Sequence, residues 1–123
     1  MKKIRETNEI IEERIQMEIV VDAYDSEERA MGWYYYLDDK ITFPFVGECT
    51  VADKRSPLTK GEQAMVIKMS GEDYCEHDMY VDISWSDKTL AIPLSNIKPL
   101  NCDNDTDEAV GDWHYWKMQG YEF

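Results

Sequence analysis

Glycine, cysteine, histidine and basic side chains are all sparse in this 123-residue sequence, and each scarcity closes off a kind of chemistry. The six glycines are scattered singly, so no glycine-rich loop exists to cradle a phosphate. Cys49, Cys75 and Cys102 are odd in number, widely spaced and without a C-x-x-C pair. They argue against a disulfide framework and for a reducing cytosol. His77 follows Cys75 by two residues, but no third residue is identifiable to orient a thiolate–imidazole pair. His114 sits amid aromatics on a predicted helix, and both histidines read as surface or half-buried side chains rather than as bases or zinc ligands. Thirteen Lys and Arg face 26 Asp and Glu, a formal charge of −13. That excess opposes nucleic-acid phosphates and anionic lipid, and it favours cations, basic partners or plain solubility. The opening MKKIRETNEIIEERIQ is too charged for a signal peptide, and no apolar run approaches the roughly 20 residues that span a bilayer. The expectation is a cytoplasmic, monomeric protein that is not an enzyme.

What is present suffices for one core. Hydrophobic residues make up 43% and aromatics 12%, inside the globular range, and the length suits a single domain. From about Glu6 to Lys40 the period is helical. Ile4, Ile11, Ile15 and Ile19 form a stripe that Ile10, Val20 and Val21 broaden. After a break at Asp22 to Asp25, Asp25 stands three residues before Glu28, the spacing of a capping box. Ala30, Trp33, Tyr34, Leu37 and Ile41 then mark the core face of a second helix.

From Phe43 to Leu100 the period becomes two. Met79, Val81, Ile83 and Trp85 alternate with polar residues, and Leu90, Ile92 and Leu94 do so after the turn Ser86-Asp87-Lys88. Phe43 to Val51 and Ala64 to Met69 supply two more strands, joined through Pro57 and Gly61. Beyond Asn101 an acidic turn offers Asp105 and Thr106 as helix caps, Val110 and Trp113 as a buried side, and Gly120 as a stop. The predicted fold is α+β. Two N-terminal helices (1–41, a helical hairpin) pack on a small SH3-like antiparallel barrel (42–100), followed by an acidic turn and C-terminal helix (101–123).

The acidic residues carry the functional signal because they cluster. Glu72, Asp73, Glu76 and Asp78 crowd one segment without an intervening Lys or Arg, and solvent screening or a cation must relieve their repulsion. Asp38 and Asp39 lie at the predicted end of the second helix, where they oppose the macrodipole beside unpaired carbonyls. Such an all-oxygen environment suits a hard cation such as Ca²⁺, while Lys40 offers an alternative neutraliser. These six carboxylates are the candidate metal ligands, for one or two sites. An EF-hand read from Asp103 fails, because Glu108 stands where glycine is required and His114 where a bidentate Glu is required. A second reading keeps the acidity for protein contact. It makes the chain an interaction module for a basic partner, with Trp33, Tyr34, Tyr35, Tyr36 and Trp85 either caging a cationic side chain or packing as core.

Three stretches resemble a known family: Glu18-Ile19-Val20-Val21-Asp22-Ala23-Tyr24, Met31-Gly32-Trp33-Tyr34-Tyr35-Tyr36-Leu37-Asp38-Asp39-Lys40 and Phe43-Pro44-Phe45. They look like the small CcbP-like calcium-binding proteins of cyanobacteria. Cys75 to Trp85 and Ala91 to Ser95 extend the resemblance, which covers roughly Arg14 to Leu100. It implies an acidic cytosolic protein that binds Ca²⁺ without EF-hands and buffers or senses the free ion in calcium signalling. It supplies no ligand list, so the six carboxylates rest on the physical argument alone.

Overall fold

A computed structural model of the protein describes residues 8–54 and 56–123. The helical region divides as its break implies. Helix α1 (Glu9–Arg14) runs on into a π-helical turn (Ile15–Ile19), and α2 (Ser26–Lys40) follows a short connection. Asn8 caps α1 by accepting from the Ile10 and Ile11 amides. Asp25 caps α2, accepting from the Glu28 amide at 2.8 Å. The Glu28 carboxylate reaches back one residue further than a standard box, to the Tyr24 amide at 2.7 Å.

Strands β1 (Phe45–Cys49), β2 (Gln63–Met69), β3 (Tyr80–Trp85), β4 (Lys88–Pro93) and β5 (Ile97–Leu100) form one antiparallel sheet in the order β4-β3-β2-β1-β5. Single 3₁₀ turns (Glu72–Cys75 and Leu94–Asn96) precede β3 and β5, and α3 (Asn104–Met118) closes the order. The α+β class is therefore as predicted. The β3–β4 hairpin is tight because Ser86 and Asp87 both take positive φ, which matches the right-handed twist of its strands. Strand β5 tolerates Pro99 because it lies at the sheet edge, paired only with β1.

The core lies where the helices meet the sheet. Trp33 on α2 packs edge-on against Trp113 of α3 (centroids 5.0 Å apart) and against Tyr36 (6.0 Å). Both indoles are fully buried, joined by Ile15, Leu37, Val81, Ile83, Ile92 and Ile97. Truncating either Trp would cost about 3–5 kcal/mol. Gly32 is demanded by a close approach: a Cβ there would stand 2.4 Å from the Ile19 carbonyl oxygen, so no larger residue fits α2 against the π turn.

Several expectations need correction. Asp103, not Asp105 or Thr106, caps α3, with its Oδ1 accepting from the Thr106 amide. Thr106 is instead buried and takes the Thr42 amide on its Oγ1 at 2.8 Å. Ile10 and Val21 do not broaden the core stripe but are exposed. Ile4 and Glu6 lie outside the described residues. The aromatic set divides: Trp33 and Tyr36 are core, Tyr35 is exposed, and Trp85 donates its indole N–H to Glu62 at 2.9 Å.

Candidate metal site

The segment between β2 and β3 is pinned at its base and acidic at its tip. Ser70 donates its amide to the Tyr80 carbonyl and its hydroxyl to Asp82 (2.7 Å). Buried Cys75 accepts from the Tyr80 amide. Burial, reinforced by Asp78 and Asp82 against the Tyr80 backbone, pushes the Cys75 thiol up to about 11, so it is a packing group and no nucleophile. Above this base Glu72, Asp73 and Glu76 are exposed. The Tyr35 hydroxyl of α2 donates to Glu72 at 3.1 Å, tying the loop to the helix, and that hydrogen bond pushes the Tyr35 phenol up.

A cleft of about 540 Å³ opens between this loop and the first turn of α2. Asp25, Glu27, Glu72, Asp73 and Glu76 line it with the Ser26 hydroxyl, His77, Ala30 and Met31, and among the described residues no Lys or Arg does. The start of α2 contributes the positive end of its dipole, about half a charge. Five carboxylates outweigh it, so the cleft is negatively charged. All its charged donors are oxygens, the chemistry Ca²⁺ prefers. Among the described residues, however, no three His, Cys, Asp or Glu side chains already stand close enough together to hold a metal ion. The donors fit the ion in kind, and full coordination requires them to draw in.

The six predicted ligands therefore separate. Glu72, Asp73 and Glu76 share the cleft. Asp78 is buried below it, its Oδ1 accepting from the Met79 amide (2.9 Å) and pairing with Lys117 of α3 at 3.4 Å. Asp38 and Asp39 are exposed at the far end of α2, about 17–18 Å along the axis from Glu27 at 1.5 Å per residue. Asp39 there faces a second groove with Glu18 and Lys40. Tyr34 lies between the two ends, its phenol pushed up by burial first and then by Cys75, Asp38 and Glu72.

Sequence reasoning missed Asp25 and Glu27 as cleft residues, because acids at a helix start are already explained by the cap and the dipole. Their signal was an acidic first turn (Glu27 and Glu28) in a chain whose next acidic cluster has no basic neighbour. Among the described residues no helix is long and apolar enough to cross a membrane.

Comparison with known proteins bears directly on this arrangement. The profile of a family described as calcium binding, CcbP, matches residues 13–117. The crystal structure of CcbP from Anabaena superposes with a TM-score of 0.87 at 43% identity, covering 97% of this chain and 98% of that one. A structure described as a calcium-binding protein in its calcium-binding form superposes at 0.86 with 42% identity over 100% of both chains. No curated protein matches the sequence. With the profile covering most of its length and both structures aligned almost end to end, the chain belongs to the CcbP calcium-binding family.

Proposed function

We propose that this protein binds Ca²⁺ in the cleft between the 72–77 loop and the first turn of α2, and serves as a cytoplasmic buffer or sensor of the free ion rather than as an enzyme. The observation that carries the reading is the meeting of Asp25, Glu27, Glu72, Asp73 and Glu76 on one cleft, with no Lys or Arg in its lining among the described residues. Glu72, Asp73 and Glu76 are the principal ligands in this reading, with Asp25 or Glu27 completing the set from α2. A flexible ring of carboxylates, carbonyls and water suits the six to eight oxygens of Ca²⁺ and not the strict octahedron of Mg²⁺. Asp38 and Asp39 form a second, weaker site at the helix end. Asp78 is the bystander of the six, because Lys117 already offsets its charge.

The net charge of −13 keeps copies apart and favours a monomer. Isothermal titration of the metal-stripped protein tests the reading. Saturable heat is expected with Ca²⁺ and far less with Mg²⁺. No saturable heat with Ca²⁺ would refute it.

A further inference from the structure

Helix α1 and its π turn are apolar on two faces, and only one of them is used. Ile11, Ile15 and Ile19 face the core. On the opposite side Ile10 is 72% exposed and Met17 66%, seven residues or about two turns apart. Val21 (48%) and Tyr24 (84%) continue the exposed apolar run past the helix end. Tyr24, Ile10 and Met17 are the three most exposed large hydrophobics among the described residues, and all four fall within fifteen consecutive residues. Scattered surface hydrophobes need no explanation, but a run of this kind along one short segment does.

The charge around the run decides what can cover it. Glu9, Glu13, Glu18, Asp22 and Asp25 are all exposed on the same segment. From Asn8 to Asp25 the only basic residue is Arg14, and it is turned inward onto Asp112 at 2.7 and 2.8 Å. Among the described residues of this segment the apolar surface thus has an acidic rim and no outward-facing cation. A second copy of this chain would bring the same rim against itself, and an anionic membrane would be repelled. A partner with an apolar stripe flanked by Lys or Arg satisfies both features at once.

We infer that the outer face of α1 and the π turn at Ile10 and Met17, with Val21 and Tyr24 of the connection that follows, docks a basic amphipathic helix of another protein. Met17 suits such a surface because its unbranched thioether adapts to the shape presented. The carboxylate rim steers the approach, and the apolar residues hold the complex. The inference stands apart from calcium binding in the cleft, since it uses none of the cleft's ligands other than Asp25 at the rim.

The test uses the whole protein with calcium chelated and two fluorescent peptides of identical Leu and Lys content. One places its leucines on a single helical face, and the other has them scrambled. By fluorescence anisotropy at about 0.15 M salt, the patterned peptide should bind at least about tenfold tighter. Ile10→Ser with Met17→Ser, which leaves every charge in place, should bring it down to the scrambled level. Unchanged melting of this exposed-site variant verifies its fold. Glu13→Gln with Glu18→Gln should weaken binding less and flatten its salt dependence. Equal binding of the two peptides, or of parent and serine variant, would show mere charge attraction and overturn the inference. So would a parent that sediments as a dimer and becomes a monomer in the serine variant, because the occupant would then be a second copy.

Discussion

Replacing Arg14 by Gln should remove a large part of the protein's stability, although the residue is far from the acidic cleft. The Arg14 guanidinium grips Asp112 in a two-pronged contact, Nε to Oδ2 at 2.7 Å and Nη2 to Oδ1 at 2.8 Å. The buried Tyr36 hydroxyl donates to the same Oδ2 at 2.8 Å. Asp112 is 1% exposed, so without Arg14 a carboxylate would remain in the core with one neutral donor. Breaking a buried pair from one side costs about 3–5 kcal/mol. Because the Arg14 side chain keeps 17% exposure, the lower end is expected, about 3 kcal/mol. At roughly 3–6 °C per kcal/mol for a domain of this size, the melting midpoint should fall by about 9–18 °C.

Calorimetry at fixed ionic strength, with urea unfolding as a second measure, reads the loss. Arg14→Lys should fall between parent and Gln variant, since a point charge cannot reproduce the fork. Removing both partners, Arg14→Leu with Asp112→Leu, should cost clearly less than the two single changes added together. A loss under about 1 kcal/mol for Arg14→Gln, or strictly additive singles, would mean the pair is already screened by water and the reasoning is wrong.

Saturating Ca²⁺ should raise the melting midpoint by on the order of 10 °C, from about 2.7 kcal/mol at a hundredfold excess over Kd. Equimolar Mg²⁺ should do much less, and an equal shift would reduce the effect to diffuse neutralisation. Glu72→Gln with Glu76→Gln should weaken Ca²⁺ binding by about tenfold or more in titration calorimetry, and Asp38→Asn with Asp39→Asn by less; the reverse ranking would move the principal site to the end of α2. Burial pushes the His114 imidazole down, against the Leu94 and Ile97 backbone. Its contribution is thus whole above the unfolded value of about 6.5 and is lost as pH falls through the lower folded value. Chemical unfolding between pH 7 and 5.5 should show this slope, and His114→Gln should flatten it. A thiol reagent should titrate only Cys102 in the native protein, because Cys49 and Cys75 are buried. Rapid reaction of all three would contradict the packing of the 72–77 loop base.

Legibility in the sequence followed the range of the interactions. The alternation of Val81 and Ile83 and the stripe of Ala30, Trp33 and Leu37 report burial through local period alone, so β3 and α2 were read correctly. The cap of α3 was misplaced because Asp103, Asp105 and Thr106 are all good cap residues, and only tertiary contact with Thr42 selects among them. Asp112 was invisible because a lone helical Asp reads as surface, and its partners stand 98 and 76 residues away. Ile10 and Val21 misled because the period alone does not say that the core ends at the Ile15 and Ile19 stripe. At the cleft, the loop acids were legible as a cluster. Their meeting with Asp25 and Glu27 was not, since it depends on how α2 lies against the 72–75 turn.

The stitching of α1 to α3 also sets an order of events. Tyr115 and Tyr121 both donate to Glu12 at 2.7 Å, the Asn8 amide donates to the Tyr115 hydroxyl, and Arg14 holds Asp112. These ties join residues about a hundred positions apart, and a helix of six residues has no stability of its own in water. Segment 8–19 therefore acquires its protection only after α3 has docked, and its amides should exchange in one cooperative opening with those around Tyr115. On the ribosome α1 is made well before α3 and is secured only after it. The exposed apolar face of Ile10 and Met17 is then fixed in place only once Asn104–Met118 has been made and has docked.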